Sequence, residues 1–216
     1  MNLTLLLTST KRISVRSFFL LVTCFLLLSG CSKYQYIFVG SHLQQNEKKE
    51  FIIDNDTVTI KYSFAGVNFP ITLSIYNKLQ QPLYIDFGRS VVILNGIQIT
   101  GPFDRDGQIN FTAPQSQVTV VSNSLMNQFF DLDINDPKID VMLTGGSVRY
   151  VRYAYNEKST PLSFRNVLAL TTNEDFSAPT FYDYSFWVSD IIQTGTDPSS
   201  MTYRPLNQFV ICKLPE

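Results

Sequence analysis

Two pairs of carboxylates, one histidine and a few cysteines are the residues of this chain whose types could do chemistry. Asp131-Leu132-Asp133 and Asp104-Arg105-Asp106-Gly107 each set two acids two residues apart. In a strand that spacing puts both carboxyls on one face, where they could share a calcium ion or act as acid and base. Asp131, Asp133 and Asn135 also match the first three ligand positions of an EF-hand loop. There the match stops, because position six is Asp136 instead of glycine and position twelve is Met142 instead of glutamate. A solvated strand face and a hairpin tip account for both pairs without chemistry. The only histidine, His42, lies in the polar stretch Ser41–Glu50. Nucleophilic hydrolysis needs a base held rigidly beside its nucleophile, which such a segment does not provide. No nucleophile elbow, zinc-protease helix, phosphate loop or dinucleotide loop is present. These residues lead to the expectation of a non-enzymatic protein with no metal and no cofactor.

The cysteines point elsewhere. Residues 1–30 carry Lys11, Arg12 and Arg16 and no acid, followed by an uncharged apolar stretch from Phe18 to Leu28 and then Ser29-Gly30-Cys31. A basic region, a short apolar region and small residues before a cut site make a secretory signal. Eleven residues cover about half of a ~30 Å hydrocarbon core, too few for a stable span. Leu28-Ser29-Gly30-Cys31 resembles the lipobox of bacterial lipoproteins. The resemblance implies a diacylglycerol on the Cys31 thiol, cleavage before Cys31, and acylation of the new amine. Two or three acyl chains, at ~0.8 kcal/mol per buried methylene, hold a protein on a membrane. The mature chain is then Cys31–Glu216, partnered with a membrane through lipid on Cys31.

Loss of the signal lowers lysine plus arginine from 17 to 14 against 18 acids, a net charge of about −4. Nucleic acid is a poor partner for such a chain, since phosphate binding relies on clustered positive charge. Cys24 leaves with the signal and Cys31 takes lipid, so Cys212 stands alone and the mature chain has no intramolecular disulfide. Alternating with Val210 in Phe209-Val210-Ile211-Cys212, its thiol reads as a buried one, with no neighbour evident to make it reactive.

The elements that would position these residues are strands. With 44% hydrophobic and 13% aromatic residues, the chain has ample material for a core. Val58, Ile60, Tyr62 and Phe64 alternate as an inward face, and Phe69–Ile75 alternates again. Leu83–Phe87 and Ser90–Leu94 follow, and Asn95-Gly96 marks a tight hairpin turn into Ile97-Gln98-Ile99. Gln117–Val121, Ser147–Tyr155, Leu162–Thr171, Phe181–Ile192 and Gln208–Leu214 read as further strands. Tyr34–Val39 fits either a first strand or a spacer from the membrane. Leu125, Met126, Phe129 and Phe130 have helical spacing, whereas Phe130, Leu132 and Ile134 have strand spacing, so that segment stays open. About ten strands without a long helical pattern predict an all-β, antiparallel β-sandwich. The organisation expected is a signal peptide at 1–30, the lipidated cysteine with an N-terminal strand or linker at 31–50, and one sandwich domain at 51–216.

In Tyr182–Ile192 the face Tyr182, Tyr184, Phe186, Val188 and Ile192 is apolar apart from Asp190. Trp187 falls on the opposite, polar face with Asp183, Ser185 and Ser189. It is the candidate binding residue: on the solvent side, its ring could stack on a sugar or anchor a partner, unless another element covers it. Asp56-Thr57-Val58 resembles an O-glycosylation acceptor of Bacteroidota, but three residues recur easily by chance and a turn entering a strand explains them adequately.

These segments together resemble a group of uncharacterised lipoproteins common in Bacteroidota. The shared residues are Leu28–Cys31, Asp54–Ile60, Ile75–Asp86, Ser90, Asn95-Gly96, Pro161–Asn166 and Phe186–Ser189. The chain departs from the usual pattern at Phe87-Gly88-Arg89 and at Ala65-Gly66. The resemblance implies a lipid-anchored cell-envelope protein with an immunoglobulin-like sandwich. Ser32 differs from the inner-membrane-retaining aspartate of enteric lipoproteins, and Ser32–Phe38 lacks the acidic run of a surface-export tag. The expectation is a palmitoylated outer-membrane lipoprotein facing the periplasm. Its role would be binding or assembly with an envelope protein, or with a glycan; a carboxylate enzyme is the third reading.

Overall fold

The computed structural model describes residues 33–103, 109–133, 138–142, 149–195, 197–200 and 205–213. Cys31 with the signal before it, and the Asp104/Asp106 pair, lie outside the described residues, as do Ile134, Asn135 and Asp136. Sixteen strands run through the described residues: β1 (Lys33–Gly40), β2 (Gln44–Gln45), β3 (Phe51–Asp54), β4 (Val58–Ser63), β5 (Gly66–Val67), β6 (Thr72–Asn77), β7 (Leu83–Ile85), β8 (Val91–Leu94), β9 (Ile97–Thr100), β10 (Phe111–Thr112), β11 (Gln117–Val121), β12 (Lys138–Met142), β13 (Arg149–Ala154), β14 (Ser163–Thr171), β15 (Thr180–Thr194) and β16 (Gln208–Lys213).

They form two sheets. The smaller runs β11-β6-β4-β3-β2, and the main path of the larger runs β10-β7-β14-β15-β1-β16-β5. Branching from that path, β8 pairs with β14 and carries β9, and β13 pairs with β15 and carries β12. Every pairing is antiparallel except β5 with β16, which is parallel. The longest strand, β15, pairs with β14 over its first half and with β1 over its second.

The sheets pack on each other through aromatic rings. Val58, Ile60, Tyr62 and Phe64 are all fully buried, as their alternation predicts. Phe64, which follows β4, meets Phe164 of β14 at 5.5 Å and Phe186 of β15 at 5.3 Å, both edge to face. Phe51 of β3 and Tyr62 of β4 also touch Phe186, and Phe69 stacks on Phe209 at 4.5 Å. Edge-to-face rings at these separations add attraction beyond the area they bury.

Two departures from the simple alternation have physical causes, and one open reading is resolved. Segment 122–133 forms neither helix nor strand, because its backbone bonds go to partners distant in sequence. The buried Gln35 amide of β1 donates to the Phe130 carbonyl at 2.9 Å and accepts from the Phe130 N–H at 2.8 Å. Leu125, Met126, Phe129, Phe130 and Leu132 then pack against the core without regular structure. Tyr34–Val39 is a strand, lying between β15 and β16 near the middle of the large sheet. In β15 the inward face shifts: Val39 pairs with Val188 but Phe38 pairs with Asp190, leaving Ser189 as an extra, bulged residue. Ile191 is consequently buried, where strict period two puts Ile192 inward.

One polar bridge crosses the core. The Tyr62 hydroxyl donates to Asn166 Oδ1 at 2.9 Å, both residues being fully buried, and Asn166 Nδ2 has no partner among the described residues. Burial pushes the Tyr62 phenol far above its ordinary pKa, so the hydroxyl remains a donor. Tyr62→Phe should cost about 1–3 kcal/mol, since it strands the Asn166 amide entirely. Tyr62→Phe with Asn166→Leu should recover much of that in denaturant unfolding. A double variant as unstable as the sum of the singles would mean the pair has no coupling.

Candidate functional site

Trp187 lies on the outer face of β15, half-buried. Gly40 of β1 pairs with it on one side and Ser163 of β14 on the other. The indole covers Gly40 so closely that a Cβ there would stand 2.8 Å from Cε2 and Nε1. The His42 ring tilts against the indole at 5.1 Å, and His42 Nε2 meets Glu157 Oε2 at 3.0 Å, both side chains exposed. Nearby on the same face Arg165 forms an ion pair with Asp183. Trp187 and His42, far apart in sequence, are thus brought together, but the indole is engaged by a glycine backbone and a histidine. Glycine at position 40 is what permits that approach.

The other residues with chemical potential do not converge. Asp131 and Asp133 are exposed and sit in the irregular segment, so the one-face argument for a strand does not apply to them. Among the described residues no group of three or more histidine, cysteine or acidic side chains could hold a metal ion. The Asn55 side chain accepts from the Thr57 and Val58 N–H groups, making Asp56-Thr57 a turn into β4. Cys212 is half-buried, and burial together with Asp197 pushes its thiol pKa up, which keeps it protonated and unreactive near neutral pH.

A second site has no counterpart in the sequence reading. Where β14 turns into β15, three segments meet around an open groove of about 440 Å³ lined by Pro82, Tyr84, Asn110, Phe111, Glu174 and Phe176. The Tyr84 ring stands 6.3 Å from Phe111 and 6.2 Å from Phe176, the latter edge to face. Phe111 leaves 46% of its surface in water. The hydroxyl of Tyr84, the carboxylate of Glu174 and the amide of Asn110 hydrogen-bond to no side chain or backbone group among the described residues.

Phe176 is held there at a backbone cost. Its φ of 57° is left-handed, a region that bulky residues avoid. The turn compensates: Phe176 N–H donates to Asn173 O at 3.0 Å, and Thr171 Oγ1 and Asn173 Nδ2 both donate to Ser177 O. Arg89, paired with Asp86, donates from Nη1 to Phe176 O at 3.1 Å. Asp175 accepts from Ser177 N–H, and hydrogen bonds from Ser177 hold its carboxyl below the usual range. Strain over-determined by its surroundings is characteristic of ligand-contacting positions. The signals available in sequence were the turn-rich run Asn173–Ser177 and the scattered aromatics, and neither reveals the meeting.

Comparison with protein-family models, curated proteins and solved structures gives no match to the chain.

Proposed function

We propose that this protein is a lipid-anchored, non-catalytic binding module of the cell envelope, with an immunoglobulin-like sandwich as its body. The polarity of the large sheet carries the reading. β1 begins at Lys33, only two residues beyond Cys31, and two residues of extended chain reach about 7 Å. Tyr34 pairs with Thr194 at one end of β15, whereas the Tyr84–Phe111–Phe176 groove adjoins the turn before Thr180 at the other. The fourteen residue steps from Thr180 to Thr194 correspond to about 45 Å of strand. Acyl chains on Cys31 would bring the start of β1 to the lipid surface and leave the groove at the remote end. An outer-membrane anchor facing the periplasm is the location proposed, from Ser32 and the absence of acids in Ser32–Phe38.

The anchor has a direct test. Trypsin digestion of the purified mature protein should release Cys31–Lys33 as its N-terminal peptide, carrying a diacylglyceryl thioether by mass, and Cys31→Ala should abolish that processed species. A free Cys31 thiol, or an N-terminus elsewhere, would remove the anchor from the reading.

A further inference from the structure

We propose that the Tyr84–Phe111–Phe176 groove binds a neutral pyranose ring of a glycan. The proposal deepens the binding role above, but the affinity itself does not depend on lipid at Cys31.

The lining has two parts that suit one ligand class. Three aromatic rings set at angles to each other line it, and electron-rich ring faces are what the polarised C–H groups of a sugar ring pack against. Around them stand a hydroxyl, a carboxylate and a primary amide, which together accept and donate in the pattern that vicinal sugar hydroxyls need. None of the three is engaged by a described residue, so no bond to a described residue must break when a ligand arrives. The volume of about 440 Å³ lies in the range of small-ligand sites. Pre-set at a left-handed φ and gripped by Arg89, Phe176 need not be ordered on binding.

The same features argue against other occupants. Among the described residues Glu174 is the one charged group of the lining, and with the Arg89 guanidinium turned to Asp86 and a backbone carbonyl, an anionic sugar would meet a carboxylate and no described cation. A peptide adding a strand would have to pair with β10, which is two residues long, and Pro82 on the flank offers no N–H. A lipid chain would leave the three polar groups unpaired.

Saturation-transfer NMR and calorimetry on the mature protein, held in a zwitterionic detergent free of sugar headgroups, test this with four probes. The probes are cellotetraose, the β-1,4-linked N-acetylglucosamine tetramer, tetragalacturonate and an apolar extended octapeptide. We expect saturable binding of a neutral tetrasaccharide, with transfer to ring C–H protons. Phe111→Ala and Phe176→Ala should each weaken it about tenfold. Glu174→Gln should weaken it less, and Trp187→Ala should leave it unchanged. Since Phe111 is exposed, its variant should unfold at the wild-type denaturant concentration. Binding of neither neutral tetrasaccharide, binding of tetragalacturonate or the peptide alone, or sugar binding untouched by Phe111→Ala would each overturn the proposal. Each of these outcomes leaves the Cys31 anchor to its own mass measurement.

Discussion

Phe64→Ala is expected to lower folding stability by about 3–5 kcal/mol, the range for removing a buried phenyl ring and leaving a cavity. The residue is fully buried and joins the two sheets: its ring touches Phe51 and Phe69 as well as Phe164 and Phe186 across the interface. Those four rings are held by different strands or loops, so no single side chain can move into the space. A domain of this kind has about 5–15 kcal/mol to lose. The urea midpoint should therefore fall steeply, while Phe111→Ala, at the exposed groove, should scarcely move it. A loss below about 1 kcal/mol for Phe64→Ala would mean that the aromatic layer repacks as a fluid would, contrary to its ring-on-ring geometry.

Gly40→Val carries the second large effect, by the opposite mechanism. A Cβ at position 40 would sit 2.8 Å from two indole atoms of Trp187, and valine adds two methyls beyond it. Trp187 must leave its place over β1, exposing apolar ring and disturbing the β1–β15 pairing at Gly40. Overpacking of this kind costs about 1–3 kcal/mol. Because Trp187 is the only tryptophan, its emission reports the displacement alone and should shift to the red. Trp187→Ala in the Gly40→Val background should give back part of the stability, as clashing neighbours do in a double-mutant cycle. Wild-type stability and emission in Gly40→Val would show that the indole does not rest on the glycine.

What the sequence made legible is what is decided locally. The run Val58–Phe64 alternates because one face of β4 is core, and Asn95-Gly96 adopts left-handed φ values of 46° and 83° because that turn requires them. What stayed hidden depends on partners far along the chain. Segment 125–132 has apolar residues compatible with two periods, and the choice falls to neither once Gln35 takes the Phe130 backbone. Ser189 is extra only relative to Phe38 and Val39, so no local pattern announces the bulge that buries Ile191. The covering of Trp187 by Gly40 is likewise a cross-strand event. The groove is the extreme case, since Tyr84, Phe111 and Phe176 belong to three segments brought together by the pairings of β7 with β10 and β14 and by the Arg89 hydrogen bond to Phe176.

Three of the four ends of the sheet paths are strands of two residues, β10 and β5 on the large sheet and β2 on the small one. A bare strand edge is a template for another chain, and its hazard rises with its length. For molecules tethered side by side on one lipid surface, diffusion is confined to a plane and neighbours meet repeatedly in similar orientations. Long edges there would let copies zip into ribbons. A two-residue border gives an incoming strand too few backbone partners to offset the order it must adopt, so at β10, β5 and β2 the sheets offer little template to a neighbouring copy.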